Sequence, residues 1–194
     1  MQLEIFKYKK VTSTNDVAMK LIREKKKESG LVYAETQTKG RGTKGSKWLS
    51  EMGNFFGTIF FQLKNDYPPF NEFSMINPVI ISEVIYNFSN DCKISFKWPN
   101  DIFLNNKKVC GILQEVITLN NKTFLLIGIG INIISNPKIS KDYKATNILT
   151  ETKKKPSLKN IIDLLSTAYE KFFAQLKKYN FTKYRIKAES MSVN

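Results

Sequence analysis

The residues best suited to chemistry lie close together, in Gln37-Thr38-Lys39-Gly40-Arg41-Gly42-Thr43-Lys44-Gly45-Ser46-Lys47-Trp48. This short stretch follows an apolar, β-prone run, Leu31-Val32-Tyr33-Ala34. Gly40, Gly42 and Gly45 free the backbone to bend and let its N–H groups approach a ligand closely. Lys39, Arg41, Lys44 and Lys47 bring charge suited to phosphate or carboxylate, and Trp48 offers a flat face for stacking. Such a loop can fold over an anionic nucleotide. A flexible basic surface loop would have the same composition, and two familiar phosphate loops do not fit. A Walker A loop needs Gly-Lys-Ser/Thr before a helix, whereas Gly45 is followed by Ser46-Lys47-Trp48-Leu49. A dinucleotide-binding turn also opens a helix with its glycines, and Trp48-Leu49 begins none.

Composition narrows the chemistry. The 194 residues suit one domain with a sizeable core, and 42% of them are hydrophobic. No apolar run approaches the ~20 residues of a membrane span, and Met1-Gln2-Leu3-Glu4-Ile5 lacks a signal-peptide core. Cytoplasm is the default location. Cys92 and Cys110 are the two cysteines, too few for a disulfide framework or a cysteine-rich zinc site, and they are expected to be reduced and buried. With no histidine, the usual general base and commonest metal ligand are missing. Triad hydrolases and histidine-based zinc enzymes are thereby excluded, leaving Lys, Arg, Asp and bound cations. The net charge of +14 fits an acidic partner, nucleic acid or protein. It fits equally a lysine-biased surface, which is how Lys25-Lys26-Lys27 and Lys153-Lys154-Lys155 read, at helix ends or in a linker.

The elements that must position these residues follow from periodicity. Residues 3–11 read as a strand. Ser13-Thr14-Asn15-Asp16 offers N-caps for a helix carrying Val17, Ala18, Leu21 and Ile22 on one face and ending near Gly30. Leu31 to Gln37 is a strand into the glycine loop, and Asn54 to Gln62 a strand buried on both faces. Phe73 to Phe88 is expected as a helix under the sheet despite Pro78. Ile94-Ser95-Phe96-Lys97 alternates, Trp98-Pro99-Asn100-Asp101 breaks the pattern, and Trp98 is expected in the core. Ile102-Phe103-Leu104 and Lys108 to Leu119 form a hairpin at Asn105-Asn106, and Asn120-Asn121 turns into Thr123 to Ile133. Leu158, Ile161, Ile162, Leu165, Tyr169, Phe172 and Leu176 make the core stripe of a last long helix. The order is α+β, strands in hairpins with helices on one side.

Five short motifs in this order resemble one family. They are Ser13-Thr14-Asn15; Gln37 ahead of Gly40-Arg41-Gly42 with Trp48; Lys97-Trp98-Pro99-Asn100-Asp101; Lys108-x-x-Gly111-Ile112-Leu113; and Gly128-Ile129-Gly130-Ile131-Asn132. The chain from about residue 11 to residue 133 is similar to the catalytic core of biotin–protein ligases. The resemblance implies a mixed, largely antiparallel sheet packed with helices, of the biotin/lipoate-protein ligase type. It implies a catalytic domain over 1–180 and a C-terminal tail over 181–194, where relatives carry a small β-barrel. The implied activity has two steps: biotin and ATP give biotinyl-5′-AMP, then a lysine of a biotin carboxyl carrier domain takes the biotin.

Carried over by resemblance, Ser13, Thr14, Asn15 and Gln37 surround the ureido ring of biotin, where paired donors and acceptors satisfy a buried urea. Arg41, Gly42 and Thr43, with Lys108 and Gly111, complete the biotin site. Lys108 and Arg41 are the expected catalytic cations. Gly40, Lys44, Gly45, Trp48, Lys97, Asn100, Asp101 and Asn132 form the implied nucleotide site. Mg²⁺ is expected with ATP near Asp101, with no direct metal ligand assigned. Lys108→Ala is expected to abolish adenylation and leave the fold intact.

The chain departs from the family where Thr43 and Ser46 stand in place of arginines. Lys44 and Lys47 lack arginine's bidentate fork, so looser retention of biotinyl-AMP is expected. No helix-turn-helix pattern precedes residue 3, so a DNA-binding role is not expected. The alternatives are a lipoate or octanoate transferase of the same fold, and a basic nucleic-acid-binding module. A homodimer joined through a sheet edge is left open.

Overall fold

The computed structural model describes residues 1–137 and 144–192. Its centre is a seven-stranded sheet of order β1-β2-β3-β7-β6-β5-β4. At one edge β1 (Ile5–Val11) runs parallel to β2 (Ser29–Gln37), because α1 (Thr14–Lys25) crosses between them. Every other pairing is antiparallel: β3 (Phe55–Gln62) with β2 and with β7 (Lys122–Ile131), β6 (Lys107–Leu119) with β7 and with β5 (Asp101–Leu104), and β5 with β4 (Ile94–Lys97). The sheet is mixed and largely antiparallel, as the resemblance implied. Both asparagine turns are present. Asn105, Asn106, Asn120 and Asn121 all have φ between 48° and 63°, the left-handed geometry that tight hairpins require and asparagine tolerates.

Helices cover both faces, which corrects the expectation of one. On one face α1 buries Ala18, Leu21 and Ile22 against Val32, Phe60, Phe124 and Leu126. On the other, α2 (Phe73–Tyr86) and α4 (Leu158–Ala174) lie over Leu31, Phe55, Ile59, Ile127 and Ile129. A strand's side chains alternate between faces, so β3 and β7, apolar on both, need a helix layer on each. Pro78 is accommodated within α2, and the cross-links Asn77–Gln114 (3.0 Å) and Tyr169–Asn77 (2.9 Å) tie α2 to β6 and α4.

The sequence pattern passed over two helices. The short α3 (Ile148–Thr152) carries Glu151, which accepts from Thr146, Lys107 and Asn105. Residues 181–194, expected as a tail, hold α5 (Phe181–Ser190), which packs on α2 and buries Ala188. Beyond it Met191 accepts a hydrogen bond from Phe96 N at 2.7 Å, covering part of the outer edge of β4; residues 193–194 lie outside the described residues. Trp98, expected in the core, is 58% exposed. Among the described residues no helix is long and apolar enough to cross a membrane.

Candidate active site

A cleft opens on the α1 face, where Gly111, Gly128 and Gly130 leave the strands without side chains. Its floor consists of two cross-strand rows, Thr58–Gly128–Leu113 and Phe56–Gly130–Gly111, on β3, β7 and β6. The glycines are required by close approach. A Cβ on Gly128 would sit 2.7 Å from Asn15 Oδ1, and one on Gly111 would meet the Trp48 ring. Gly130 likewise lies beneath the Trp48 indole. Absent side chains on the strands let groups from α1 and the loop reach the backbone.

One end of the cleft is a network of neutral groups. Thr14 N donates to Gln37 Oε1 at 2.8 Å, and Gln37 Nε2 donates to Ser50 Oγ at 3.0 Å. Thr58 Oγ1 lies 2.5 Å from Asn15 Oδ1 and 2.8 Å from Thr14 Oγ1. A hydroxyl has one proton, so Thr58 donates to the Asn15 carbonyl and accepts from Thr14. Ser13 occupies the N-cap position of α1, yet its hydroxyl makes no capping hydrogen bond. Capping therefore does not account for Ser13, which instead lines the cleft.

The other end is charged. The loop closes on itself: Gly42 N donates to Ser46 O at 2.7 Å, Ser46 Oγ to Thr43 O at 2.8 Å and Trp48 N to Gly40 O at 2.9 Å. Lys44 and Gly45 make its turn with positive φ. Arg41 pairs with Asp16 at 2.7 Å and with Glu115 at 3.2 Å. Burial disfavours its charge, but Asp16 and Glu115 outweigh this and hold the guanidinium's pKa above its ordinary value. Lys108 is 8% exposed, pairs with Asp101 at 2.7 Å, and its Nζ lies 5.5 Å from the centre of the Trp48 ring. A β-bulge places it there. Strict alternation from Gly111 would aim Lys108 at the opposite face. Val109 and Cys110 both enter the core cluster, and the register with β5 shifts at that point, returning Lys108 to the cleft side. Burial pushes the Cys110 thiol far up, so it stays protonated.

Residues 8–132 match the family described as "Biotin/lipoate A/B protein ligase family". The biotin–[acetyl-CoA-carboxylase] ligase of Paracoccus denitrificans is 30% identical over 179 residues, 89% of this chain and 74% of that protein. The chain belongs to the biotin–protein ligases. The bifunctional ligase/repressor BirA of Escherichia coli is 33% identical over 125 residues, 63% of this chain but 38% of that longer protein. Among solved structures, the biotin protein ligase of Leishmania major in complex with biotinyl-5-AMP covers 98% of this chain, and 81% of that chain is matched, at TM-score 0.83 and 25% identity. That of Aquifex aeolicus in complex with biotin and ATP gives 0.79 and 27%, over 98% of this chain and 78% of that one.

Of the residues expected to serve a ligase, Ser13, Thr14, Asn15, Gln37, Arg41, Gly42, Thr43, Trp48 and Gly111 line the cleft together. Lys108 and Asp101 stand beside it, behind Trp48. Gly40 sits against Gln37 and the Trp48 carbonyl without lining the cleft. Lys44 and Gly45 are exposed on the loop, and Lys97 is exposed on β4. Asn100 gives its carbonyl to Ile112 N, and Asn132 donates its amide to the Thr146 carbonyl at 3.0 Å. Among the described residues no cluster of three His, Cys, Asp or Glu is placed to hold a metal. Asp16 and Ser50, which partner Arg41 and Gln37, lie outside the sequence motifs, and so do two groups from distant strands. Thr58 looks like one position in an apolar strand, and Glu115 like the polar side of a hairpin; only the cross-strand register shows that both reach Asn15.

Proposed function

We propose that this chain adenylates biotin with ATP and transfers the biotinyl group to a lysine of a biotin carboxyl carrier domain. The observation that carries the reading is the Thr14–Thr58–Asn15 network with Gln37, set beside a glycine loop and two cations. A urea has one carbonyl and two N–H groups, and a buried urea left without partners would be costly to desolvate. Threonine, asparagine and glutamine provide both donors and acceptors there.

In the first step the biotin carboxylate oxygen bonds to the α-phosphorus as the bond to pyrophosphate breaks. Lys108 and Arg41 face the end where negative charge accumulates, which is where fixed cations accelerate such a reaction. Mg²⁺ arrives with ATP as part of the substrate. In the second step the carrier's uncharged lysine amine bonds to the biotinyl carbonyl carbon, AMP leaves, and the amine loses a proton. The loop from Gly40 to Trp48 would cover the mixed anhydride and keep water from it.

Biotin-dependent exchange of labelled pyrophosphate into ATP, run beside lipoate and octanoate, tests this directly. Exchange with biotin alone is expected. Exchange with a fatty acid instead would move the chain to the lipoate branch of the family, and no exchange with any of the three acids would remove the adenylation step.

A further inference from the structure

Glu115 stands at the junction of the two ends of the cleft, outside every motif that points to the site. Its Oε2 accepts from Asn15 Nδ2 at 2.5 Å and from Arg41 Nη2 at 3.2 Å, with Oε1 3.4 Å from the same Arg41 nitrogen. A primary amide has two nearly isosteric orientations, carbonyl one way or NH₂ the same way. For Asn15 the choice is made by its neighbours. A carboxylate only accepts, so the NH₂ must face Glu115, and Oδ1 is left to take the Thr58 proton. That orientation fixes which remaining donor and acceptor directions Asn15 shows to a ligand. The same carboxylate holds Arg41, and Arg41 belongs to the glycine loop, whose other clamp is Asp16 on α1.

We propose that Glu115 is a positioning residue with two tasks. It sets the amide of Asn15 for a urea-bearing ligand, and through Arg41 it keeps the glycine loop down over the cleft. The first task rests on the biotin reading; the second rests on the ion pair alone. Two substitutions separate them. Glu115→Gln keeps an acceptor of the same shape beside Asn15 and removes the charge facing Arg41. Glu115→Ala removes both.

Two measurements are needed, biotin-dependent pyrophosphate exchange and limited trypsin digestion of the empty protein. Trypsin has sites after Lys39, Arg41, Lys44 and Lys47, all within the loop. Loss of a hydrogen bond to a charged group should raise the KM for biotin about tenfold in Glu115→Ala, whereas any fall in kcat that comes from releasing Arg41 should be shared by both variants. In Glu115→Gln the KM should stay within about threefold of wild type, since a neutral acceptor recovers part of that bond. Loop cleavage should be faster than wild type in both variants.

A wild-type KM in Glu115→Ala, or an equal rise in KM in both variants, would overturn the Asn15 task. Loop cleavage at the wild-type rate in both would overturn the loop task. Should the alanine variant fail to fold, Glu115→Met, close to glutamate in volume, takes its place. Absence of any biotin-dependent exchange in the wild type would overturn the biotin reading and the Asn15 task with it, while the digestion would still decide the loop task.

Discussion

The two ends of the cleft are held by different physics. At the neutral end, Thr14, Gln37, Thr58 and Asn15 are joined by hydrogen bonds between uncharged groups, in a pocket backed by Gly128, and Glu115 brings charge to them through Asn15. At the charged end, Arg41 and Lys108 are each already paired with carboxylates, Asp16 and Glu115 for one and Asp101 for the other. The neutral end is already ordered by its own hydrogen bonds and would need to give up little to a ligand. On the proposed function, the charged end would exchange one set of anions for another, so its affinity would be a difference between ion pairs and not their sum. Specificity for the acid should therefore reside in the neutral end, and rate in the charged one.

The largest expected effect breaks the charged end. Lys108→Ala is expected to lower biotin-dependent pyrophosphate exchange by about 10³-fold, the scale of removing a fixed charge from a developing anion. Its stability cost is also larger than a solvated hairpin lysine would give. Asp101 is left in a largely buried place without this partner, a loss of about 2 kcal/mol by thermal or urea melting. Exchange within tenfold of wild type would take Lys108 out of the reaction.

Next comes the neutral end. Thr58→Val keeps the shape and removes the hydroxyl that orders Thr14 and Asn15, and is expected to raise the biotin KM about tenfold with kcat nearly unchanged. A fall in kcat at constant KM would mean that the two ends do not divide the work this way. A smaller effect is expected in the loop. Thr43→Arg with Ser46→Arg should slow the escape of biotinyl-AMP by several-fold, on the scale of one or two charge-assisted hydrogen bonds. Rapid gel filtration after loading with biotin and ATP reads it, and a wild-type protein that already keeps its adenylate tightly would contradict the expectation.

The smallest effect lies behind the site. Burial would raise the Glu151 pKa, but hydrogen bonds from Thr146, Lys107 and Asn105 outweigh it and hold the carboxyl below its ordinary value. A depressed folded value contributes stability above the unfolded value of about 4.3, and that stability is lost as pH falls through the folded value. Glu151→Gln should cost about 1 kcal/mol near neutral pH, seen as a lower melting temperature. The gap to wild type should close as pH drops below about 4. A gap that persists at low pH would assign the loss to packing.

Much of the cleft's lining was legible because it comes from short runs of the chain. Ser13-Thr14-Asn15, the Gly40–Trp48 loop and Lys108-x-x-Gly111 are local, and both asparagine turns announce their hairpins in two letters. What escaped is non-local. Thr58 and Asn15 are 43 residues apart and Glu115 and Asn15 are 100 apart, so no spacing rule links them. Trp98 illustrates the opposite error: a large aromatic residue suggests core, yet the turn before β5 leaves it exposed. The helix α5 has a weakly patterned, lysine-rich sequence and is placed by its contact with α2.

The sequence by itself determined the chemistry available: no histidine, two isolated cysteines, a cationic glycine loop, and a polar triplet ahead of a helix. It also determined the strands and turns, since period and turn residues are local properties of the chain. The tertiary structure decided which face each group meets. It placed α1 on the cleft side, aligned Thr58, Gly128 and Leu113 in one row, and used the bulge at Val109 to return Lys108 to the side where Trp48 and Asp101 stand. A strand's alternation fixes only which residues share a face, and one extra residue reverses that assignment. Which face becomes a site is settled only when neighbouring strands are in register and a helix has taken its side.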